Sequence, residues 1–176
     1  MKDNRIRNLT MAALIAASYV VITIAIAPIA FSEVQFRISE ALTILPFFTP
    51  AAIPGVFIGC LIANVFGGAV LPDVIFGSLA TLLGAIGTYL IGKHFREKGS
   101  LGAAGSAGIK PIILGTIPPI ISNAIIIPFV LKYAYGSPLP IPLMMLTVGI
   151  GEVISCGILG TILGSILNRN AAHVFK

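Results

Sequence analysis

Charged and amide side chains are crowded into the eight residues from Glu33 to Glu40, between two long apolar runs. Glu33, Gln35, Arg37 and Glu40 offer carboxylate, amide and guanidinium groups, which form paired and charge-assisted hydrogen bonds. Such a set could bind a small polar molecule. A helix-surface ion pair is the alternative interpretation, because Glu33 and Glu40 lie four residues before and three residues after Arg37.

Three further polar residues lie inside apolar runs. Glu152 lies about a dozen residues into the last run, where a carboxylate costs at least a few kcal/mol unless it is paired or solvated. Asn64 and Asn123 can reach a similar depth, so all three are predicted to meet the Glu33–Glu40 segment and to bind a ligand with it. For the two asparagines, interhelical hydrogen bonds are the alternative role.

The composition indicates an all-α integral membrane protein. Of 176 residues, 57% are hydrophobic and only 10% are charged, against about 25% in a soluble domain. The net charge of +5 does not predict nucleic-acid binding, because the basic residues lie between and beyond the apolar runs, as membrane topology requires. The length permits a single transmembrane domain, 1–176, and no separate soluble one.

Six transmembrane spans are predicted, with both termini in the cytoplasm. Nine Lys and Arg residues lie before the first run, around the central loop and after the last run, and the positive-inside tendency places all of them on one side. That arrangement requires the short second run to cross the membrane. The predicted spans are 9–30, 38–48, 51–70, 74–91, 111–131 and 141–167, with an outer lid at 31–40 and a cytoplasmic loop at 92–110.

The remaining reactive residues predict neither catalysis nor a metal. Cys60 and Cys156 lie in apolar runs without metal-ligand spacing and are interpreted as packing residues. Asp73, just after Pro72, is expected to interact with the N-terminal dipole of the fourth run. No cofactor is predicted, and the chain carries no Walker motif for ATP.

Small residues form a stripe on the first run. Ala12 and Ala16, and likewise Ala13 and Ala17, are four residues apart, a spacing that lets another helix approach closely. Packing within the bundle is the simpler interpretation of the stripe.

Three segments carry a resemblance to a known family. LTMAALIAA near the start is similar to the first helix of substrate-binding S components of energy-coupling factor (ECF) transporters. VQFRISEALTILPFFTPAAIPGVFIGCLIANVFGG (34–68) and DVIFGSLATLLGA (73–85) resemble the queuosine-precursor (QueT-type) S components more narrowly. The resemblance covers nearly the whole chain.

The resemblance implies a function and partners. It implies a six-helix S component in the bacterial cell membrane that binds 7-aminomethyl- or 7-cyano-7-deazaguanine from outside. The alanine stripe would meet a transmembrane coupling (T) subunit, which two ATPase subunits drive. The expected substrate-binding residues are Glu152, Asn123, Glu40, Arg37, Asn64, Gln35, Glu33 and Tyr133, with Phe31 and Phe36 as further stacking candidates.

Three alternatives remain open at this point. The chain could be an S component for another vitamin, or a structural subunit of an assembly. It could also be a small intramembrane enzyme in which Glu152 and Asn123 act as acid and base. No nucleophile–base pair is visible and neither His94 nor His173 lies in a span, so the chain is not predicted to be an enzyme.

Overall fold

The computed structural model describes residues 2–26, 37–98 and 108–174, with side chains at 4–26, 37–98 and 108–168. Within these ranges every regular element is helical, which confirms the predicted all-α class. The elements are α1 (Lys2–Ala25), a 3₁₀ helix (Ile38–Phe47), α2 (Ala52–Phe66), α3 (Leu71–Glu97), α4 (Ile109–Tyr133), α5 (Ile141–Glu152), a π segment (Val153–Leu159) and α6 (Gly160–Val174).

In the described part of the chain, four helical stretches are long and apolar enough to cross a membrane: Asn4–Ala25, Leu71–Glu97, Ile109–Tyr133 and Ile141–Asn168. The last stretch joins α5, the π segment and α6 without interruption. The 3₁₀ helix and α2 are apolar but shorter. The six crossings and the cytoplasmic termini therefore stay predictions.

The helix ends differ from the predicted spans by several residues. α1 begins at Lys2, well before residue 9, because the polar N-terminal residues continue the helix. α3 likewise extends the fourth span in both directions, to Leu71 and to Glu97. Most of the predicted lid, 31–36, and the centre of the predicted loop, 99–107, lie outside the described residues.

The short second run forms a 3₁₀ helix of ten residues, an unusual length for this conformation. With three residues per turn, side chains three apart eclipse one another. Arg37, just before the helix, therefore shares a face with Glu40 and Thr43, while Ile44 and Phe47 pack with Ile112 in an apolar cluster. The helix thus presents its polar face to one side of the bundle.

Close helix contacts fix the neighbours of this polar face. α1 packs on α2 at Gly55 and Gly59. An added Cβ would lie 2.9 Å from the Ala12 carbonyl oxygen at Gly55 and 2.7 Å from the Tyr19 Cβ at Gly59. At the other end of the 3₁₀ helix, the Arg96 guanidinium donates a hydrogen bond to the Phe47 carbonyl. These contacts hold α1, α2 and α3 around the 3₁₀ helix.

Candidate ligand-binding site

Glu40 lies where α1, the 3₁₀ helix and α3 meet. Its side chain is buried, and its Oε1 accepts hydrogen bonds from the Tyr19 hydroxyl on α1 and from Thr81 Oγ1 on α3, the latter at 3.2 Å. Its Oε2 is buried and has no hydrogen-bond partner among the described residues. One oxygen of the carboxylate is therefore held by the protein and the other is available to a ligand.

A second buried carboxylate, Glu152, lies next to Glu40. It is the last residue of α5, and its Oε2 accepts a hydrogen bond from the Cys156 thiol at 3.1 Å. The Asn123 side chain on α4 also interacts with Glu152. The same thiol also lies 3.4 Å from the Glu40 main-chain carbonyl oxygen, to which it can donate. A carboxylate oxygen of Glu40, a carboxylate oxygen of Glu152 and the Cys156 sulfur all lie within 4.8 Å of one another.

Arg37 belongs to a neighbouring group of polar residues. Its Nη1 donates to Asn64 Oδ1 at 3.1 Å, and its Nη2 lies 3.7 Å from Asp73 Oδ2. Asn64 also donates through Nδ2 to the Asp73 carbonyl at 3.3 Å. Arg37 and Glu40 do not lie on a helix surface, because both side chains are buried, and the carboxylate 3.7 Å from Arg37 is that of Asp73.

Asp73 does more than the sequence predicted. It lies in the first turn of α3, as expected for a dipole partner. It is also fully buried, and its carboxylate lies 3.7 Å from Arg37 Nη2 and accepts a hydrogen bond from the Tyr135 hydroxyl at 2.9 Å. Burial, together with the nearby Asp73 carboxylate, raises the pKa of Tyr135 to about 12. Tyr135 lies in the turn between α4 and α5, so this contact ties that turn to the start of α3.

Acidic side chains outnumber basic ones in this part of the structure. Three buried carboxylates, Glu40, Glu152 and Asp73, face one buried guanidinium, Arg37, among the side chains that the structure describes there. Buried carboxylates are costly unless they are paired and hydrogen-bonded. The arrangement favours a ligand that brings hydrogen-bond donors or positive charge.

The structure brings together five of the eight predicted binding residues. Glu40, Glu152 and Asn123 form one group, and Arg37 and Asn64 form the adjoining one. Tyr133 joins neither, because its ring is 78% exposed and stacks on Phe129 with ring centroids 6.5 Å apart. Glu33 and Gln35, with the stacking candidates Phe31 and Phe36, lie outside the described residues.

Sequence reasoning missed four polar groups of the site: Tyr19, Thr81, Cys156 and Tyr135. A buried tyrosine usually finds a hydrogen-bond partner for its hydroxyl, so Tyr19 within an apolar run was a usable signal. Cys156 follows Glu152 by one helical turn, which was a second signal. Its interpretation as a packing residue was incomplete, since its thiol joins both carboxylate-bearing elements.

The four alanines of α1 divide into two faces. Ala12 and Ala16 are buried against α2, whereas Ala13 and Ala17 are exposed. A groove of about 850 Å³ follows this side of α1 and α2, and Ala13, Ala17, Val21, Pro54 and Ile58 are among its lining residues. Packing within the bundle therefore accounts for Ala12 and Ala16 but leaves Ala13 and Ala17 exposed.

Comparison with known proteins decides the family. Residues 9–169 match the family model described as QueT transporter. The chain belongs to the QueT transporter family. This result confirms the resemblance drawn from the sequence, and a transporter family agrees with the prediction that the chain is not an enzyme.

A curated relative agrees with the QueT assignment. The chain is 35% identical over 99 residues to the queuosine precursor transporter QueT of Lactococcus lactis subsp. cremoris. The alignment covers 55% of this chain and 58% of the relative, so the chain matches little more than half of that protein's length. No solved structure gives a significant match.

Proposed function

We propose that this chain is the S component of an ECF transporter and binds a queuosine precursor, 7-aminomethyl- or 7-cyano-7-deazaguanine, from outside the cell. The observation that carries the proposal is the pair of adjacent buried carboxylates, Glu40 and Glu152, with Glu40 Oε2 free to accept a hydrogen bond. Membership of the QueT transporter family and the name of the curated relative support it.

The chemistry of the ligand suits these carboxylates. A guanine-like edge presents a ring N–H and an exocyclic amine side by side, and a carboxylate is a strong acceptor for such donors. Glu40 accepts from this edge. Glu152 faces the aminomethyl cation, and Asn123 holds Glu152 in place from α4. Arg37, Asn64 and Asp73 form the adjoining wall and keep the start of the 3₁₀ helix against α2 and α3.

The proposal includes partners and a place in the cell. The chain spans the bacterial cell membrane six times, with its termini in the cytoplasm. A transmembrane T subunit docks on the groove along α1 and α2, and two ATPase subunits drive uptake. Ala13 and Ala17 are the stripe residues that the bundle leaves exposed for this contact.

Isothermal titration of the purified chain tests the ligand. The ligands are the aminomethyl and cyano deazaguanines, guanine and riboflavin. We expect the deazaguanines to bind most tightly and riboflavin not to bind. Binding of riboflavin alone would indicate an S component for another vitamin, and conversion of a deazaguanine during the titration, seen by mass spectrometry, would indicate an enzyme.

A further inference from the structure

One buried hydroxyl close in sequence to Glu152 and Cys156 makes no hydrogen bond within the described part of the chain. Ser155 lies in the π segment, three residues after Glu152 and directly before Cys156, and it is fully buried. Its Oγ has no hydrogen-bond partner among the described residues. An unsatisfied buried hydroxyl costs about 1–3 kcal/mol, so its retention requires an explanation.

Two other buried hydroxyls on the helices of this protein bond their own backbone. Ser78 Oγ donates to the Val74 carbonyl at 2.6 Å, and Thr23 Oγ1 donates to the Tyr19 carbonyl at 2.8 Å, each one turn back along its own helix. Ser155 makes no such bond. The difference lies in the π segment, a helix form that often occurs at functional sites.

The position of Ser155 places it on the inner side of its helix. Glu152, Ser155 and Cys156 are buried, whereas Val153 and Ile154 between them are exposed. The π segment packs against the 3₁₀ helix, which carries Glu40, and against α4, which carries Asn123. Ser155 therefore belongs to the same interior as both carboxylates.

The other donors of this interior are already committed. The Tyr19 and Thr81 hydroxyls donate to Glu40, and the Cys156 thiol donates to Glu152 and to the Glu40 carbonyl. The Asn123 side chain interacts with Glu152. Ser155 is thus a buried donor without a hydrogen-bond partner among the described residues, as Glu40 Oε2 is a buried carboxylate acceptor without one.

We propose that Ser155 is a specificity-determining residue that donates its hydroxyl to the carbonyl oxygen of the ligand ring. Glu40 Oε2 accepts from the neighbouring ring N–H or amine, so the two residues together select a planar heterocycle with adjacent donor and acceptor groups. The inference rests on the proposed function and adds a residue that the sequence did not single out.

The test pairs one substitution in the protein with one in the ligand. The probes are 7-aminomethyl-7-deazaguanine and its 6-thio analogue, which keeps the ring N–H and the amine but replaces the carbonyl oxygen with sulfur, a weaker acceptor. We expect the natural chain to prefer the oxygen compound by roughly five- to tenfold. Ser155→Ala should weaken binding of the oxygen compound by a similar factor and abolish the preference.

Two further variants separate contact from fold. Ser78→Ala removes a buried helical hydroxyl that bonds its own helix, so it should keep the affinity and the preference of the natural chain. Ser155→Cys keeps a weak donor of similar size and should show an intermediate preference. Thermal unfolding without ligand should not fall in Ser155→Ala, because the hydroxyl removed has no partner.

The outcomes distinguish this inference from the proposed function. If the natural chain binds a deazaguanine but Ser155→Ala keeps the full preference for oxygen, or loses affinity for both probes equally, Ser155 does not contact the carbonyl. If the natural chain binds neither deazaguanine, the proposed function is wrong and this inference is overturned with it.

Discussion

At the scale of single residues, the two acidic side chains of the site are held in different ways. Glu40 has one oxygen fixed by Tyr19 and Thr81 and the other without a hydrogen-bond partner among the described residues, whereas Glu152 accepts a hydrogen bond from Cys156 and interacts with Asn123. The free oxygen of Glu40 is suited to neutral N–H donors. The proximity of the two carboxylates adds negative potential, which is suited to a cation.

Glu152→Gln tests the charge at this position. Removing a buried charged acceptor costs more than removing a neutral hydrogen bond, about 1.5–3 against about 1 kcal/mol. We expect binding of the aminomethyl deazaguanine to weaken by at least roughly tenfold. Unfolding temperature without ligand should hold or rise, because one of two adjacent buried charges is gone.

The matched control for Glu152→Gln is Glu97→Gln. Glu97 is exposed and pairs with Lys93 four residues earlier at 3.7 Å, so its neutralisation should change neither binding nor stability measurably. Unchanged ligand affinity in Glu152→Gln, combined with easier unfolding, would assign Glu152 a structural role.

Tyr135 gives a prediction for alkaline pH. Its pKa is raised to about 12 from an ordinary value near 10, so the folded state favours the neutral phenol. The stabilisation is fully present below about pH 10 and is lost as pH rises toward 12. It is modest, because the side chain is 43% exposed.

Difference titration measures this shift. The difference in phenolate absorbance between the natural chain and Tyr135→Phe should develop near pH 12. Between pH 10 and 12 the free energy of unfolding should fall less in the variant than in the natural chain. A difference curve centred near pH 10 would show that the Asp73 contact does not form in solution.

At the scale of elements, the packing of α1 separates two uses of its alanines. Ala12 and Ala16 lie against α2 at Gly55 and Gly59, where backbones approach so closely that an added Cβ at Gly59 would lie 3.1 Å from the Ala16 Cα. A large side chain on this face must push the two helices apart. The neighbouring face of α1, with Ala13 and Ala17, is exposed among the described residues.

Tryptophan substitution on each face tests this separation. Ala13→Trp should block uptake by the assembled transporter but leave deazaguanine binding by the isolated chain within about twofold, because it obstructs an exposed face. Ala12→Trp should lower the unfolding temperature and weaken binding, because overpacking displaces α1 and with it Tyr19. Uptake that survives Ala13→Trp would place the docking surface elsewhere.

The sequence predicted the elements better than it predicted their contacts. Hydropathy located every helix, since an apolar run of sufficient length has few alternatives in a membrane. It did not predict the 3₁₀ form of Ile38–Phe47 or the π segment, which depend on how hydrogen bonds are redistributed in the packed bundle. Asp73 was assigned to its own helix end because its partners, Arg37 and Tyr135, are distant in sequence.

The candidate binding residues divide in the same way. Glu152, Asn123 and Asn64 were recognisable from the sequence because a polar group in an apolar run needs a partner. Thr81 and Ser155 were not, because hydroxyls in helices usually bond their own backbone and carry no such signal. Tyr133 was predicted to stack on the ligand, but its ring is exposed at the end of α4.

At the scale of the whole molecule, membrane topology is the largest open prediction. The four long helical stretches and the two shorter apolar helices permit six crossings, and the positive-inside tendency selects cytoplasmic termini. On this topology the start of α4 faces the cytoplasm, and the turn between α4 and α5 faces outward with Tyr135. The proposed ligand then enters from the side where Asp73 begins α3.

Cysteine labelling tests the topology with two positions at opposite ends of α4. Lys110 and Pro138 are exposed, whereas the native Cys60 and Cys156 are buried, so the parent chain serves as the unlabelled control. A membrane-impermeant thiol reagent should label Pro138→Cys in intact cells and Lys110→Cys only in inverted vesicles. Labelling of both positions from the same side would mean that α4 does not cross the membrane. Labelling with the sides exchanged would invert the bundle and put the proposed entrance on the cytoplasmic face.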